Sequence, residues 1–383
     1  MSPSIWQCQR EKLEVNSMNA NDITCGFIGL GLIGGSMARA LKEKAPGMRI
    51  VSYTPHRETS ERAKADGIVD EIAPAIDEHF TGCDYIFLCA PIERNNDNLS
   101  LLKPFLDKKT TLSDIGSVKT SIHEHVKELD LEDQFIGGHP MAGTERIGYI
   151  NSKASILENA YYILTKTEKT SDERLENYRE LVELMGATPL IIPYEQHDFA
   201  TAAISHVPHV ISGCLVNLVE RSDYSDGLMK TIAAGGFKDI TRISSSSPVM
   251  LQQICLTNRK NIVTLLNRYI SYIKEMKDVI DAADGDGLME FFSSAREYRD
   301  SFNDLNRGPI RKTYITRVDI ADEPGNIASV ATLLSVNGIN IKNIGIVHNR
   351  EDEHGTLSIE FHDGKAMEKA VQLLDNHGYP SAK

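Results

Sequence analysis

The sequence predicts an α/β domain built on a parallel sheet, then an all-helical domain, then a small α+β module. Three observations predict this arrangement. Short apolar runs alternate with helix-length amphipathic segments from Thr24 to about residue 193. Helical periodicity then continues almost unbroken over residues 194–304, and a shorter alternation of strand and helix patterns fills residues 312–383. The length of 383 residues suits two or three domains, because single cores stop growing near ~250–300 residues.

Composition excludes several classes of protein. The chain has 41 basic and 54 acidic residues and a net charge of −13, whereas a nucleic-acid binder needs a basic surface. The sequence has no run of ~18 consecutive apolar residues to cross a bilayer, and its first 22 residues lack the pattern of a secretory signal. The six cysteines show no CxxC spacing, which is typical of reduced thiols. We therefore expect a cytoplasmic protein without nucleic-acid or membrane partners.

Residues 1–22 are polar and aperiodic and are expected to form a flexible tail, and residues 23–193 are expected to form the α/β domain. Its predicted strands are Cys25–Ile28, Ile50–Tyr53, Tyr85–Cys89, Thr111–Ser113, Phe135–Ile136, Tyr161–Thr165 and Pro189–Ile192. Its predicted helices are Ile33–Lys44, Glu58–Ala65, Asn95–Leu106 and Val118–Leu129. Helices that connect parallel strands cover both faces of the sheet.

Residues 194–305 are expected to form the helical domain, with helices over Gln196–Glu220, Asp226–Ala233, Pro248–Ile280 and Gly287–Asp304. These helices carry more apolar surface than one protomer would cover, which favours a homodimer built on this domain. Polar residues, a glycine and a proline at 304–309 predict a linker. Residues 312–383 then follow the order strand, helix, strand, strand, helix, over Tyr314–Ile320, Gly325–Asn337, Ile341–Val347, Thr356–Phe361 and Lys365–Asn376.

A glycine-rich loop, GLGLIG at residues 29–34, follows the first strand and opens the first helix. In a GxGxxG pattern the first glycine permits a tight turn, the second lets the backbone approach a pyrophosphate, and the third lets the helix pack on the strand. The pyrophosphate would bind N–H groups at the helix N-terminus. The motif therefore predicts a Rossmann-type dinucleotide site formed by Gly29, Gly31, Leu32, Ile33 and Gly34.

The ribose of that dinucleotide lacks an evident acidic partner. An NAD site usually offers Asp or Glu about 20 residues past the motif, but the second strand runs into Thr54-Pro55-His56-Arg57, with no acid before Glu58. Thr54 can bond a ribose hydroxyl, and His56 or Arg57 could accept a 2′-phosphate. Alternatively, Arg57 only opens a solvated helix. We expect NAD as the cofactor, and NADP remains the alternative.

Three sets of polar residues should converge at the carboxyl ends of the strands. They are SDIGSVK (113–119), GGHPMAGTE (137–145) and, in the helical domain, SHVPH (205–209) with GGFKDITRIS (235–244). Together with GLGLIGGS (29–36), they resemble the prephenate dehydrogenase family of tyrosine biosynthesis, in order and spacing, over about residues 25–305. The C-terminal module resembles an ACT domain, which has a ferredoxin-like fold.

The resemblance implies oxidative decarboxylation of prephenate to 4-hydroxyphenylpyruvate with hydride transfer to NAD(P)⁺. A neutral imidazole suits this chemistry because it can accept the proton of the C4 hydroxyl near neutral pH. By resemblance His139 has that role, and Ser117 hydrogen-bonds His139 beside the nicotinamide and fixes its tautomer. Ser117 would also fit as a helix N-cap. We expect His139 and Ser117 to be the catalytic residues.

By the same resemblance the substrate-binding residues are Arg242, His206, Thr144, Lys238, Glu145 and Asp239. The planar guanidinium of Arg242 matches a substrate carboxylate, unless it forms only a surface ion pair. Lys238 would assist at the pyruvyl end, and Asp239 and Glu145 would gate the entrance. The segment 238–242 would lie near the partner subunit of the dimer.

The remaining histidines have plainer interpretations. His206 and His209 are three residues apart on a helix, but with no acid or thiol nearby they make an incomplete metal set, so no metal is expected. We expect His209 to lie in the core. His123 and His125 are two residues apart and would diverge on a helix, so we expect a solvated face there.

Other functions remain open at this point. Arogenate, the amino analogue of prephenate, is the nearest alternative substrate. A β-hydroxyacid dehydrogenase shares the sheet-plus-helices plan, but it would need a catalytic lysine in the helical domain and would not need GGHPMAG. From another class, the chain could be a dinucleotide- and amino-acid-sensing regulator. Such a sensor needs no proton acceptor like His139, which argues against it.

The C-terminal module carries the last prediction. Its loop between first strand and first helix resembles the ligand loop of an ACT domain, with Asp322, Pro324, Gly325, Asn326 and Ile327. Gly325 would let the backbone come close, and N–H groups at the helix N-terminus can hold a carboxylate. Because the enzyme would commit carbon to tyrosine, we expect L-tyrosine as a feedback inhibitor. The alternative is a simple turn used for dimer packing.

Overall fold

The chain divides into two units, residues 1–284 and residues 285–383. The structure, a computed structural model, describes residues 19–143, 146–304, 314–321, 323–347, 354–361 and 363–380. Several predicted features lie outside these ranges. They are most of the N-terminal tail, the larger part of the linker, and the site residues Thr144, Glu145 and Asp322.

A five-stranded parallel sheet forms the centre of the first unit, as the alternating pattern predicted. Its strands are Thr24–Ile28 (β1), Arg49–Tyr53 (β2), Glu71–Ile72 (β3), Tyr85–Leu88 (β4) and Thr111–Asp114 (β5). The connecting helices are Leu32–Lys44 (α1), Arg57–Ala65 (α2), Ile92–Leu102 (α3) and Thr120–Glu128 (α4). The strand order β3-β2-β1-β4-β5 reverses direction between β1 and β4. A ligand of such a sheet binds outside the carboxyl ends of the strands at this point.

A three-stranded sheet follows, formed by Ile136–Pro140 (β6), Tyr161–Lys166 (β7) and Thr188–Ile191 (β8). A parallel bridge from Leu112 to Phe135 joins the edge of the first sheet to the residue before β6. Between β7 and β8 lies a helix that the sequence analysis missed, Asp172–Leu184 (α5). Charged residues dilute its apolar periodicity.

Helix α5 completes the core on one side of the sheet. Tyr178 is fully buried, and its ring stacks on Tyr85 with 6.1 Å between the centroids. The Tyr178 hydroxyl lies 2.7 Å from Ser113 Oγ and 3.0 Å from the Tyr162 hydroxyl. These hydrogen bonds satisfy three buried polar groups and fix the end of β5, where the polar SDIGSVK segment begins.

The helical part of the first unit contains Tyr194–Thr201 (α6), Val207–Ser222 (α7), Leu228–Ile232 (α8), Gly235–Thr241 (α9), Pro248–Thr257 (α10) and Arg259–Asp281 (α11). One turn of π-helix, Ala202–His206, joins α6 to α7. The single helix predicted over Pro248–Ile280 is divided at Asn258, which separates α10 from α11. Helix α9 was not predicted.

The helical part buries little of its apolar surface. Its core cluster consists of Ala202, Val207, Ile254 and Ile262. Large apolar side chains on its surface include Leu218, Ile232, Leu256, Tyr272, Ile273 and Ile280, each more than half exposed. The helical stretch 194–222 is long and apolar enough, by length and composition alone, to cross a membrane, although no single run of apolar residues suggested it. His197 and Asp198 are fully buried within this stretch, which is typical of a packed core helix.

The second unit contains Gly285–Asp304 (α12), Tyr314–Ala321 (β9), Asn326–Val336 (α13), Ile341–Val347 (β10), His354–Phe361 (β11) and Gly364–Asn376 (α14). The predicted order of strands and helices in the module is confirmed. The strands form an antiparallel sheet with the order β10-β11-β9. Val318, Val330, Leu357 and Leu374 are among the buried residues that pack helices α13 and α14 on this sheet.

Candidate active site

The glycine loop lies at the carboxyl end of β1, where the strand order reverses. Gly29 has φ +102°, and a Cβ there would lie 2.9 Å from the Cys89 carbonyl. A Cβ on Gly34 would lie 2.8 Å from the Gly29 carbonyl oxygen, whereas a Cβ on Gly31 would meet nothing within 4 Å. Helix α1 begins at Leu32, and no side chain of the described residues caps its N-terminal N–H groups. The loop therefore has open space and free donors where a pyrophosphate would bind, so these residues fit a dinucleotide.

The predicted ribose contacts follow β2. Thr54 Oγ1 donates a hydrogen bond to the His56 carbonyl at 2.6 Å, so its lone pairs remain available as acceptors. Arg57 opens α2 and pairs with Glu61 one turn later, with 2.9 Å between Nε and Oε1. A 2′-phosphate would have to compete with Glu61 for this guanidinium.

A buried ion pair closes the end of β5. The Lys119 ammonium bonds the Asp114 carboxylate and also the Gly138 carbonyl at 2.6 Å. Asp114 accepts a further hydrogen bond from the Gly116 amide at 2.9 Å. Burial lowers the pKa of Lys119, although the Asp114 carboxylate opposes this shift. The pair fixes the loop after β5 against β6, one residue before His139, and neither member was among the predicted site residues.

His139, on β6, is held from behind by a histidine and an aspartate of α6. Its Nδ1 lies 2.8 Å from His197 Nε2, and His197 Nδ1 lies 2.8 Å from Asp198 Oδ1. Burial lowers the pKa of His139 well below the usual range, and His197, Lys119 and His206 lower it further. His139 is therefore neutral at pH 7, in the form that can accept a proton.

The hydrogen bond predicted from Ser117 to His139 is not formed among the described residues. The neighbour at His139 Nδ1 is instead His197. Ser117 is not the N-cap of α4 either, because the helix begins at Thr120 and Lys119 occupies the cap position. The Asp198 carboxylate instead accepts hydrogen bonds from the backbone amides of Lys119 and Thr120, at 2.7 and 2.8 Å. A carboxylate from the helical part thus supplies the acceptor that a serine would otherwise provide.

His206 lies in the π turn and is buried. Its Nδ1 lies 3.1 Å from Asn258 Nδ2, which also donates to the Asp198 carbonyl at 2.7 Å. Burial lowers the pKa of His206 to about 4. Because Asn258 donates to Nδ1, the neutral ring carries its proton on Nε2 and can donate a hydrogen bond there.

The segment that bears Arg242 packs beside the helix that follows His206. Lys238 and Asp239 lie on α9, Arg242 opens the next helical turn, and all three side chains are exposed. Ser212 of α7 bonds Ser244 at 2.6 Å. The predicted cationic residues thus lie on a surface of the helical part that is anchored to α7.

Two expectations about other histidines are wrong. His209 is half-buried rather than in the core, with its Nδ1 2.8 Å from the Ser205 carbonyl and its Nε2 3.4 Å from Ser246 Oγ. His123 is buried rather than solvated. It stacks on Tyr194 with 4.4 Å between the ring centroids and bonds Thr165 at 2.8 Å. The i, i+2 spacing did place His123 and His125 on different sides of α4, and His123 has the inner one.

Comparison with known proteins agrees with this architecture. Residues 37–190 match the family model described as prephenate dehydrogenase, nucleotide-binding domain. Residues 193–294 match the model described as prephenate dehydrogenase, dimerization domain. The chain is 34% identical to the prephenate dehydrogenase of Bacillus subtilis, over 94% of this chain and 97% of the relative.

Solved structures resemble about three quarters of the chain. One is prephenate dehydrogenase from Aquifex aeolicus in complex with hydroxyphenyl propionate and NAD⁺, with 29% identity and a TM-score of 0.70 over 73% of this chain and 98% of the other. Another is Synechocystis arogenate dehydrogenase, with 29% identity and a TM-score of 0.67 over 73% and 100%. With its dinucleotide loop, its buried histidine site and both family models in order, the chain belongs to the prephenate dehydrogenase family of oxidoreductases.

Proposed function

We propose that this chain catalyses the oxidative decarboxylation of prephenate to 4-hydroxyphenylpyruvate, with NAD⁺ as hydride acceptor. The observation that carries the proposal is His139, which is neutral and whose Nδ1 is already hydrogen-bonded to His197. Its Nε2 is thus the nitrogen that remains to meet a substrate hydroxyl.

The reaction needs one proton acceptor. When C4 of the substrate gives up its hydride, the C4 hydroxyl proton passes to His139 Nε2. The ring carboxylate then leaves as CO₂, and the electron pair of the broken bond makes the ring aromatic. His139 can return its proton to the phenolate oxygen, which leaves the base as it began. The residues that would hold NAD⁺ are Gly29, Gly31, Leu32, Ile33, Gly34 and Thr54, and the bound cofactor supplies the hydride acceptor.

Fixed positive groups would bind the two carboxylates of the substrate. Arg242 offers a planar fork to one of them, and Lys238 and the Nε2–H of His206 can serve the pyruvyl end. Asp239 of α9, with Thr144 and Glu145 outside the described residues, would complete the entrance. Ser117 would lie beside the nicotinamide.

Arogenate is the second candidate substrate, because the chain resembles an arogenate dehydrogenase structure as closely in identity as it resembles a prephenate dehydrogenase structure. For the cofactor, the pairing of Arg57 with Glu61 favours NAD over NADP, since it engages the guanidinium that a 2′-phosphate would use.

Initial rates with prephenate and arogenate, each with NAD and NADP, test these assignments. We expect the largest kcat/KM for prephenate with NAD. The variant His139→Asn keeps a polar group of similar size but removes the base, so kcat should fall by ~10²–10⁴ with little change in KM. An unchanged kcat would reject the role of His139. A larger kcat/KM with arogenate or with NADP would transfer the activity to that substrate or cofactor, and no turnover of either substrate would favour a sensor.

The working enzyme is proposed to be a homodimer built on helices 194–281. The exposed apolar side chains of α8, α10 and α11 suit a second copy, because a monomer rarely exposes such a surface to water. The match to a dimerization domain supports the same assembly. Sedimentation equilibrium should give twice the chain mass of 42.5 kDa. A stable monomer at micromolar concentration would contradict the proposal.

Residues 312–383 are proposed to form an ACT domain that binds L-tyrosine as feedback inhibitor. The sheet order β10-β11-β9 is the ferredoxin-like order without its fourth strand. Gly325 has φ +101° before α13, a Cβ there would meet nothing within 4 Å, and Pro324 and Ile327 are exposed beside it. Asn326 Nδ2 bonds the Ala321 carbonyl at 2.9 Å and closes the loop, so free N–H groups at α13 could hold a carboxylate.

A chain ending at Arg311 tests the regulatory proposal. The Aquifex aeolicus structure aligns over 98% of its own length with 73% of this chain, so a shorter chain of this family folds. We expect the truncated enzyme to keep dehydrogenase activity and lose inhibition at low tyrosine, because an effector acts only through a state that it binds better. Inhibition of both enzymes at the same tyrosine concentration would place tyrosine in the active site and refute the proposal.

A further inference from the structure

Two side chains behind the reacting nitrogen of His139 form a directed chain of hydrogen bonds with it. It runs from His139 on β6 through His197 to Asp198 on α6, with 2.8 Å at each step. His197 and Asp198 are both 0% exposed. Neither residue was singled out by the sequence.

The direction of these bonds follows from Asp198. Its carboxylate accepts from the amides of Lys119 and Thr120, and from Thr120 Oγ1 at 2.5 Å. Burial alone would raise the pKa of Asp198, but the hydrogen bonds from His197, Thr120 and Lys119 outweigh it and hold the pKa below its usual value. An ionised carboxylate can only accept, so His197 Nδ1 must donate to it. When His197 carries its single proton on Nδ1, it accepts at Nε2, so His139 donates from Nδ1 and its lone pair is left on Nε2.

We propose that His197 and Asp198 are positioning residues of the active site, which fix the tautomer of His139 so that Nε2 faces the substrate hydroxyl as an acceptor. The inference rests on the proposed role of His139 as the proton acceptor. Neither positioning residue touches the substrate. They act through His139, as the carboxylate behind a catalytic histidine does in hydrolases.

The same carboxylate joins the two parts of the first unit. Asp198 belongs to α6 of the helical part, whereas the amides that it accepts open α4 of the sheet part. Lys119 carries one of these amides, and its ammonium bonds the carbonyl of Gly138, the residue before His139. A shift of α6 would therefore break two contacts at once: that of His197 with His139 and that of Asp198 with the Lys119 amide. The base has its working tautomer only when α6 is docked on α4.

The groups that face His139 explain why this support is needed. His197, Lys119 and His206 lie around it, and burial disfavours a charge on its ring, as do Lys119, His206 and any positive charge on His197. When the substrate proton arrives on Nε2, the new cation keeps its Nδ1–H bond to His197, with the Asp198 charge behind it. Loss of that acceptor should make protonated His139 less stable.

Two substitutions of His197 separate positioning from packing. In His197→Phe a ring of similar shape remains but cannot accept from His139, so kcat should fall by ~10²–10³ with less than a threefold change in either KM. In His197→Gln the amide oxygen can stand where Nε2 stood, so most of the lost kcat should return. The acid limb of the kcat/KM profile should move to lower pH in His197→Phe, because the imidazolium of His139 has lost its partner. It should move less in His197→Gln.

A buried histidine outside the site supplies the control. His123→Phe also replaces a buried imidazole of the same unit that makes one side-chain hydrogen bond, to Thr165. We expect it to keep the kcat of the parent enzyme and its acid limb. NAD binding and the melting temperature, measured for every variant, identify any that fails to fold. If His197→Phe does not fold, the acid limb of His197→Gln decides.

The double variant of His139→Asn with His197→Phe tests whether His197 acts only through His139. If His197 acts only through His139, adding His197→Phe to His139→Asn should cost less than twofold more in kcat. A further loss of tenfold or more in the double variant would refute the proposal. So would equal activity of the Phe and Gln variants, or an acid limb that does not move. Full activity of His139→Asn alone would instead refute the proposed function, so the two failures are distinguishable.

Discussion

Two glycines of the dinucleotide loop, Gly31 and Gly34, should respond differently to an added methyl group. At Gly34 it should lower the stability of the fold, and at Gly31 it should weaken NAD binding. A Cβ on Gly34 would lie 2.8 Å from the Gly29 carbonyl oxygen and 2.9 Å from Cys89 Cβ. Both neighbours are held by the sheet, since Gly29 N donates to the Tyr53 carbonyl and Cys89 N to the Ile28 carbonyl, each at 2.8 Å. Gly34→Ala therefore overpacks α1 against the sheet even when no ligand is bound.

The cost of Gly34→Ala should be about 1–3 kcal/mol of unfolding free energy, the usual range for a methyl group forced into a packed site. For a domain of this size, that loss lowers the melting temperature by about 2–4 °C per kcal/mol. Gly31 differs, because its Cβ would meet nothing within 4 Å and its φ of −85° suits an alanine. The stability of Gly31→Ala without NAD should stay within about 0.5 kcal/mol of the parent.

Gly31→Ala should weaken NAD binding although it leaves the stability of the fold nearly unchanged. The methyl group of Gly31→Ala occupies space that the loop leaves open, so the pyrophosphate cannot approach the backbone. Loss of one hydrogen bond to a charged group costs about 1.5–3 kcal/mol, which raises the Kd for NAD about 10- to 150-fold. Calorimetric titration of the folded variants gives Kd, and differential scanning gives stability.

The outcome that would refute this reasoning is specific. If Gly31→Ala binds NAD as tightly as the parent, the pyrophosphate does not cross Gly31 and the assignment of the loop fails. If Gly31→Ala is also as destabilised as Gly34→Ala, packing rather than ligand approach explains both glycines. A stable Gly34→Ala would mean that α1 can shift away from Cys89.

Three more predictions follow from the site. Lys119→Met leaves the buried Asp114 carboxylate without its partner and should cost about 3–5 kcal/mol in urea unfolding at pH 7, and adding Asp114→Asn should restore most of it. Burial lowers the pKa of His123 to about 3 and that of His206 to about 4, so the unfolded chain takes up protons first as the pH falls below 6.5. The free energy of unfolding should therefore drop by up to about 1.4 kcal/mol per pH unit for each histidine. His123→Phe should flatten this dependence of stability on pH between pH 6.5 and 3. Arg242→Gln should raise KM for prephenate and leave KM for NAD unchanged, and an effect on NAD alone would refute the carboxylate role.

The fold was predictable where its pattern is local. Parallel strands buried on both faces show as short apolar runs, and all but one strand of the first unit could be placed from such runs. The exception, Glu71–Ile72, has two residues and leaves no pattern. Helix α5 was missed because acids and arginines fill the positions between Leu175, Tyr178 and Leu181. Its burial depends on contacts with distant strands, which no window of sequence contains.

The site was predictable only in part. Motifs that are contiguous, such as the glycine loop and the segment around His139, indicated the residues that meet ligands. The partners of these residues could not be found in this way, because His197 is 58 residues from His139 and Asp198 is 79 residues from Lys119. Ser117 was assigned to contacts that these distant residues make instead.

A signal for those partners was nevertheless present in the composition of single helices. The stretch 194–222 is apolar enough to resemble a membrane span, yet it places His197 and Asp198 on its buried side. A buried carboxylate must find donors, because leaving it unpaired costs far more than a helix can supply. Helix α4 has the opposite need, since its first N–H groups require an acceptor and Lys119 at its cap cannot be one. The carboxylate of Asp198 needs donors, and the first N–H groups of α4 need an acceptor. Pairing the two would have placed Asp198 at the N-terminus of α4 and, with it, His197 behind His139.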